Sequence, residues 1–334
     1  MSEIEDPVGY FLEDMTYHGR SERTRDAYER VLRDFEASVT KSLGSVTHRD
    51  CLAWISTLRG DTAESTVASY ASYLHRFYAY MNEVGVFTEN PMTLVMEELD
   101  EQITTDPNRR DISIEAMAEF VHSVGHPLAR GVILLLLKTG VRAGEACNLD
   151  LRDVHLAGSP VPTGSVRPQL EGRPDSLFVS PDPTRGEKTN GETRSASNKR
   201  KRETVIPIDD ELREALIEWL AVRPDPRSSA EALFLSTGRN WGKRLTGSDV
   251  HHLVTTRAAE RGWYEPGAGA GENVTPHYFR HFFTTHLRDR TGDRGIVKYL
   301  RGDVATDVID TYTHNWGDRV REVYEANIYS LVAR

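Results

Sequence analysis

Lysine is scarce in this chain, supplying 7 of 41 basic residues and leaving 34 to arginine. Cysteine is scarcer still. Cys51 and Cys147 are too few and too far apart for a disulfide framework or for the paired spacing of a zinc site, so both are read as buried and inert. No run of about 18 apolar residues occurs, which excludes a helical membrane span from the sequence reading. The opening MSEIEDPVGY is acidic and lacks the basic-then-apolar order of a secretory leader, so a cytoplasmic location is expected. Internal repeats are absent. GAGAGE, from Gly267 to Glu272, superficially resembles a nucleotide loop but follows Trp263 and Tyr264 without a hydrophobic strand, and reads as a flexible loop. His277 and His281 stand four apart, yet no Glu follows the first and no third ligand is evident, so no metal is expected.

What is present begins with an acid excess, a formal charge of −10. Taken alone it argues against DNA as a partner, because nonspecific affinity for DNA comes from cations that displace phosphate counterions. The excess is confined to one end, however. Residues 1–105 carry 9 Lys and Arg against 19 Asp and Glu, whereas the remainder carries 32 of each. Surplus carboxylate with an arginine bias suits either a salt-rich cytoplasm, with stability rising steeply in KCl, or a GC-rich genome.

With 334 residues, 38% of them hydrophobic, the chain can fill two cores of ordinary size. From Pro7 to about residue 100 it reads as four or five helices. One stripe runs through Tyr28, Leu32, Phe35 and Val39, and another through Tyr73, Phe77, Tyr80 and Val84 to a C-cap at Gly85. Core packing, rather than base stacking, is the expected role of these aromatics. Thr24, Ser65 and Thr66 stand where hydroxyls cap helix starts. The polar, aperiodic EQITTDPNRR opens a linker over 101–112. A second domain over 113–334 shows helical patterns in IEAMAEFVHSV and ARGVILLLLKTG, short strands near SLFVS and TVIPI, and helices again from Asp210, ending in a tail helix.

Four separated pieces carry chemistry. In LLLLKTGVRAGEACNLDLRDV an apolar helix ends at Gly140, Arg142 follows the turn, and Glu145 stands three residues on. SNKRKRETVIPI places Lys199, Arg200, Lys201 and Arg202 before a strand. TPHYFRHFFTTHL puts Pro276 in a helix's first turn, with His277, Arg280 and His281 on one face. YLRGDVATDVIDTYTH ends in Tyr312 and His314. Singly these are weak signals, since an exposed Arg or a basic run is usually solvated surface. In this order over some 170 residues they are strong.

The order resembles the tyrosine recombinase family, of an integrase-like, archaeal and salt-adapted kind, across nearly the whole chain. That family has an Arg in a turn after a helix, a Lys on a β-hairpin, a His-x-x-Arg helix, and a Tyr nine residues beyond a His or Trp that follows a Gly. Arg142, Lys199, His277, Arg280 and Tyr312 match in turn. The resemblance implies a mainly α fold with a small β-sheet: an N-terminal helical core-binding domain over 7–100 and a mixed α/β catalytic domain. It also implies double-stranded DNA as substrate, a tetramer on DNA and no cofactor.

In that chemistry Tyr312 attacks phosphorus and forms a 3'-phosphotyrosine, which conserves the bond energy so that rejoining needs no nucleotide. Arg142 and Arg280 hold the charge that develops on the nonbridging oxygens. His277 takes the phenolic proton, and Lys199, or Lys201 two residues on, protonates the departing 5'-oxygen. Arg200, Lys201 and Arg202 are candidate DNA contacts, Glu145 and Asp153 are read as holding neighbouring segments, and His281 and His314 are accessory candidates.

One departure stands out: Asp303 occupies the position of the family's His or Trp, which donates a hydrogen bond to the phosphate. An ionised carboxylate there repels phosphate. Either it organises Arg280 or Arg301, or a neighbour such as Lys298 or His314 supplies the missing donor. Three readings stay open on sequence: a site-specific recombinase of a mobile element, an inactive DNA-binding protein descended from one, and a monomeric DNA-relaxing enzyme. The tail's Val320, Val323, Ile328 and Leu331 suit docking on a neighbouring protomer or on their own domain equally well.

Overall fold

Apolar residues recurring every three or four positions dictate helices over most of this chain, and the computed structural model describes them over residues 4–60, 62–101, 109–159, 165–303 and 319–332. Two units are formed, divided between residues 108 and 109. The boundary falls within the segment read as a linker, of which residues 102–108 lie outside the described residues.

The first unit contains α1 (Pro7–Tyr17), α2 (Glu22–Ser38), α3 (His48–Leu58), α4 (Glu64–Glu83) and α5 (Met92–Glu98). Its core is aromatic, with Phe11, Phe35, Trp54, Phe77 and Tyr78 all buried. Both sequence stripes face it, but the α4 stripe is centred one residue later than its spacing suggested. Leu74, Phe77, Tyr78 and Met81 are buried, Tyr73 and Tyr80 only line the edge, and Val84 is exposed. Tyr28 stacks on Tyr73 with ring centroids 4.3 Å apart, so the aromatics pack on one another as expected. Capping differs from expectation. Ser21, not Thr24, caps α2, and Ser65 and Thr66 lie inside α4, whose N-cap Ala63 has no side chain able to accept.

The second unit runs through α6 (Ile114–His122), α7 (Pro127–Thr139), α8 (Ala143–Asn148), β1 (Val154–His155), β2 (Ser176–Val179), β3 (Lys188–Thr189), β4 (Glu192–Thr193), β5 (Thr204–Pro207), α9 (Asp210–Val222), α10 (Gly247–Glu260), α11 (Pro276–Thr291), α12 (Arg294–Arg301) and α13 (Arg319–Asn327). The nearly all-apolar α7 packs against α9 and α11 and is buried from Gly131 to Thr139 without a break. β1, β2 and β5 form an antiparallel sheet, with Leu177 opposite both Val154 and Ile206. The polar insert between β2 and β5 is not featureless: β3 and β4 form a hairpin across Asn190-Gly191, both at positive φ as a tight two-residue turn requires.

Two buried charge clusters fix this unit. Asp150 accepts from Arg194 (3.0 Å) and Arg244 (2.5 Å), and Arg244 also reaches Glu192 and the carbonyls of Cys147 and Leu149, which pins the hairpin to the end of α8. Lys138, fully buried, donates to Asp209 and to the Tyr329 carbonyl and pairs with Glu211. That cluster secures the tail. Val320 and Leu331 are buried and Val323 and Ile328 pack against the same core, so the tail residues rest on their own domain. Both cysteines are buried and burial pushes each thiol up to about 12, in keeping with inert packing.

Candidate active site

The end of α7 is where the site begins, because Gly140 turns the chain with φ +62 while a Phe283 ring atom lies 2.3 Å from where a Cβ would stand. Only glycine fits there. The turn delivers Arg142 to the N-cap of α8, where Glu145 accepts from its backbone N–H (2.9 Å) and from its guanidinium (3.1 Å). Glu145 is buried and is also paired with Arg200 at 3.3 Å, which joins α8 to the segment before β5.

Pro276 opens α11, and Arg280 lies one turn in, its side chain 3% exposed. Its guanidinium donates to the Gly140 carbonyl (2.6 Å) and the Arg301 carbonyl (3.0 Å), which ties α7, α11 and α12 together. Burial, and then repulsion from Arg142, lower its pKa to about 10. The charge persists at neutral pH.

Asp303 lies between the two arginines. Its Oδ1 accepts from Arg142 Nη2 at 3.0 Å and Arg280 Nη2 at 2.9 Å, and its Oδ2 pairs with Arg301 Nε at 2.9 Å. Two arginines 138 positions apart in sequence therefore meet on a single anionic oxygen. Asp303 thus touches Arg280 and Arg301, the two residues the sequence offered it, and Arg142 as well.

His277 is exposed on the first turn of α11, with the His281 ring set edge-on at 4.8 Å. Partial burial, then the charges of Arg109, Arg280, Arg142 and Arg301, hold its pKa below the usual 6.5. A neutral imidazole beside guanidiniums is able to accept a proton.

The basic run divides by burial. Lys199 and Lys201 are exposed in the irregular segment before β5, and neither lies on a strand. Arg200, expected on a DNA-facing surface, is instead buried. It donates to the Leu300 carbonyl at 3.0 Å and packs its side chain against Gly302, while desolvation lowers its pKa. An inward-pointing guanidinium with these partners is a strut and cannot reach a duplex. Arg202 lies over the Tyr299 ring at 5.0 Å and is half-buried. Tyr312 and His314 lie outside the described residues.

Sequence reasoning missed two asparagines. Asn148 donates to the Ala196 carbonyl and to Asn198, and Asn198 donates to the Ser180 carbonyl, all at 2.9 Å. With Arg200 on the other side, they fix the backbone on both flanks of Lys199. Their only sequence signal was position: Asn148 closes the helix that Arg142 opens, and Asn198 immediately precedes Lys199. Among the described residues no cluster of three or more His, Cys, Asp or Glu is arranged to hold a metal, and no helix is long and apolar enough to cross a membrane.

The convergent guanidiniums of Arg142 and Arg280 make a place able to hold an anionic oxygen. Residues 112–317 match the phage integrase family and residues 9–83 match the phage integrase N-terminal SAM-like domain, so the chain belongs to the phage integrase family, the tyrosine recombinases. It is 27% identical over 323 residues to the tyrosine recombinase XerC of Mycobacterium sp. (strain JLS), covering 92% of this chain and 93% of that one. XerC of Pelobacter propionicus is 24% identical over 317 residues, covering 93% and 90%. Among solved structures, the Tn1549 transposon integrase in complex with transposon right end DNA aligns with a TM-score of 0.64 at 17% identity, covering 96% of this chain and 98% of that one. A lambda integrase dimer bound to a COC' core site aligns at 0.62 and 14%, covering 92% and 95%. These likenesses establish the same mainly α fold with small sheets.

Proposed function

We propose that the protein is a site-specific recombinase that cleaves and rejoins double-stranded DNA through a covalent bond to Tyr312. The observation that carries this reading is the meeting of Arg142 and Arg280 on one anionic oxygen at 3.0 and 2.9 Å, the arrangement needed to hold a nonbridging oxygen of a phosphodiester. In the forward step the Tyr312 oxygen forms a bond to phosphorus, its proton passes to His277, and the bond from phosphorus to the 5'-oxygen breaks. Lys199, whose backbone is fixed on both sides, protonates that oxygen; Lys201 is the second candidate. Rejoining runs the same transfers backwards. Lys201 and Arg202 supply backbone contacts to the duplex, and the working assembly is a tetramer on DNA.

The task assigned to this chemistry is integration or excision of a mobile element, supported by the hairpin insert and by Asp303, both of which depart from the housekeeping pattern. A duplex taken from DNA flanking the gene, nicked so that the cleaved end diffuses away, tests the proposal. Wild-type protein becomes covalently attached and Tyr312→Phe does not. A duplex that traps neither protein on any flanking site would instead favour an inactive DNA-binding descendant, and trapping without junction formation between two sites would favour a relaxing enzyme.

A further inference from the structure

The carboxylate of Asp303 lies where the substrate's oxygen should be. Its Oδ1 is shared by Arg142 and Arg280 with hydrogen-bond lengths of 3.0 and 2.9 Å, leaving a phosphate no unoccupied position between them. Two anionic oxygens cannot share that position, since each would repel the other at contact distance with no proton between them. DNA binding therefore has to move one of them.

The surroundings indicate which one moves, and where to. Each arginine has anchors that do not depend on Asp303. Arg142 is held by the buried Glu145, and Arg280 by the carbonyls of Gly140 and Arg301. With the carboxylate gone, both would keep their places. The backbone beside Asp303 is also fixed, because Gly302 adopts φ +67 against the Arg200 side chain and the Asp303 N–H donates to the Lys298 carbonyl at 3.1 Å. Only the Asp303 side chain is left to swing. Its other oxygen already sits 2.9 Å from Arg301 Nε, and the Arg301 side chain is 30% exposed, with room to follow.

We propose that Asp303 is a built-in stand-in for the scissile phosphate, which closes the Arg142–Arg280 clamp in the absence of DNA and retreats onto Arg301 when a phosphate enters. This rests on the clamp reading above and adds to it a self-inhibited resting state whose opening is drawn by Arg301. If about one molecule in ten has the carboxylate withdrawn at rest, apparent affinity for a phosphate is reduced about tenfold, and removing the carboxylate restores it.

Calorimetric titration of the full-length protein with inorganic phosphate tests this without a known target sequence. Asp303→Asn should bind phosphate roughly 10-fold more tightly than wild type, with Asp303→Ser as a second variant should the first fail to fold. Arg301→Gln should bind more weakly, because the carboxylate has lost its retreat. The double variant should match Asp303→Asn alone. Phosphate binding by Asp303→Asn and Asp303→Ser that is no tighter than wild type would overturn the proposal. So would an Arg301→Gln penalty that persists in the Asp303→Asn background, since Arg301 would then be a direct phosphate ligand. Adding Arg142→Gln to Asp303→Asn separates the two levels: it should abolish the gained affinity, and if it leaves phosphate binding unchanged the clamp itself has been misassigned.

Discussion

Arg142 and Arg280 hold the same oxygen, yet their replacement by Gln should have separable consequences. Arg142 is 31% exposed, and its loss leaves Glu145 still paired with Arg200. Arg142→Gln should therefore cost about 1 kcal/mol of stability or less, as partly exposed ion pairs do. Arg280 is different. Its side chain is 3% exposed and removing its guanidinium strips donors from two carbonyls, Gly140 and Arg301, as well as from Asp303. Breaking a buried charge network of this kind costs about 3–5 kcal/mol. For a unit of this size each kcal/mol lowers Tm by about 2–4 °C, so Arg280→Gln should fall by roughly 6–20 °C and Arg142→Gln by no more than about 4 °C. In cleavage the two should converge, since each removes one clamp on developing charge, a loss of about 10²–10³ in rate. Thermal unfolding paired with single-turnover trapping on a nicked duplex reads both quantities. Equal destabilisation by the two substitutions, or an Arg142→Gln protein that cleaves at the wild-type rate, would refute the reasoning.

Three further outcomes follow from the same geometry. Because burial and then four arginines hold His277 below its usual 6.5, cleavage that uses it as base should rise with pH through that lowered value and level off by neutrality; Arg109→Ala should move the inflection upward, and an unmoved profile would remove Arg109 from the account. Because both arginines keep anchors that do not involve Asp303, Asp303→His should raise the trapping rate on a nicked duplex, and collapsed cleavage would instead mean that the carboxylate holds the arginines in place. Lys138→Met should destabilise by about 3–5 kcal/mol by leaving Asp209 and Glu211 without their cation. Burial raises the Glu211 pKa, but Lys138 together with the hydrogen bonds from Ser330 and the Leu331 backbone holds the group below the usual 4.5, so the wild-type cluster contributes fully above that pH and its contribution fades as pH falls through the lowered value. Stability measured against pH in acid should show a larger loss in wild type than in the variant, which keeps only the Ser330 and Leu331 hydrogen bonds to Glu211.

Where the sequence was informative, a local rule carried the information. Gly140 after an apolar helix, Pro276 before His277, and the spacing of Phe35 and Phe77 each follow from backbone or packing constraints visible within a few residues. The insert hairpin went unread, although Asn190-Gly191 is a tight-turn pair, because its short strands are polar on both faces and no alternation announced them. Arg200 failed for a different reason. Within SNKRKRE nothing distinguishes it from its neighbours, and its burial is set by Gly302 and Glu145, which are 102 and 55 positions away. Asp303 could be singled out as a departure from a pattern, with Arg280 and Arg301 as candidate partners, yet Arg142 could not be added to them, because an ion pair between residues 161 apart leaves no mark on either local sequence.

These two exceptions answer each other electrostatically. An acid inserted beside a phosphate site should cancel one of its cations, and on sequence alone that weighed in favour of an inactive descendant. The structure places Arg301 against Asp303 and the buried Arg200 against Glu145, so both local carboxylates have their own counter-ions. The four guanidiniums of Arg142, Arg200, Arg280 and Arg301 against Glu145 and Asp303 leave two positive charges, the number that a clamp made of Arg142 and Arg280 alone would offer. A phosphodiester brings a single negative charge, and the cluster remains positive after it binds. Asp303 thus changes when the clamp is available without removing the charge it uses, and this supports a working enzyme over a relic.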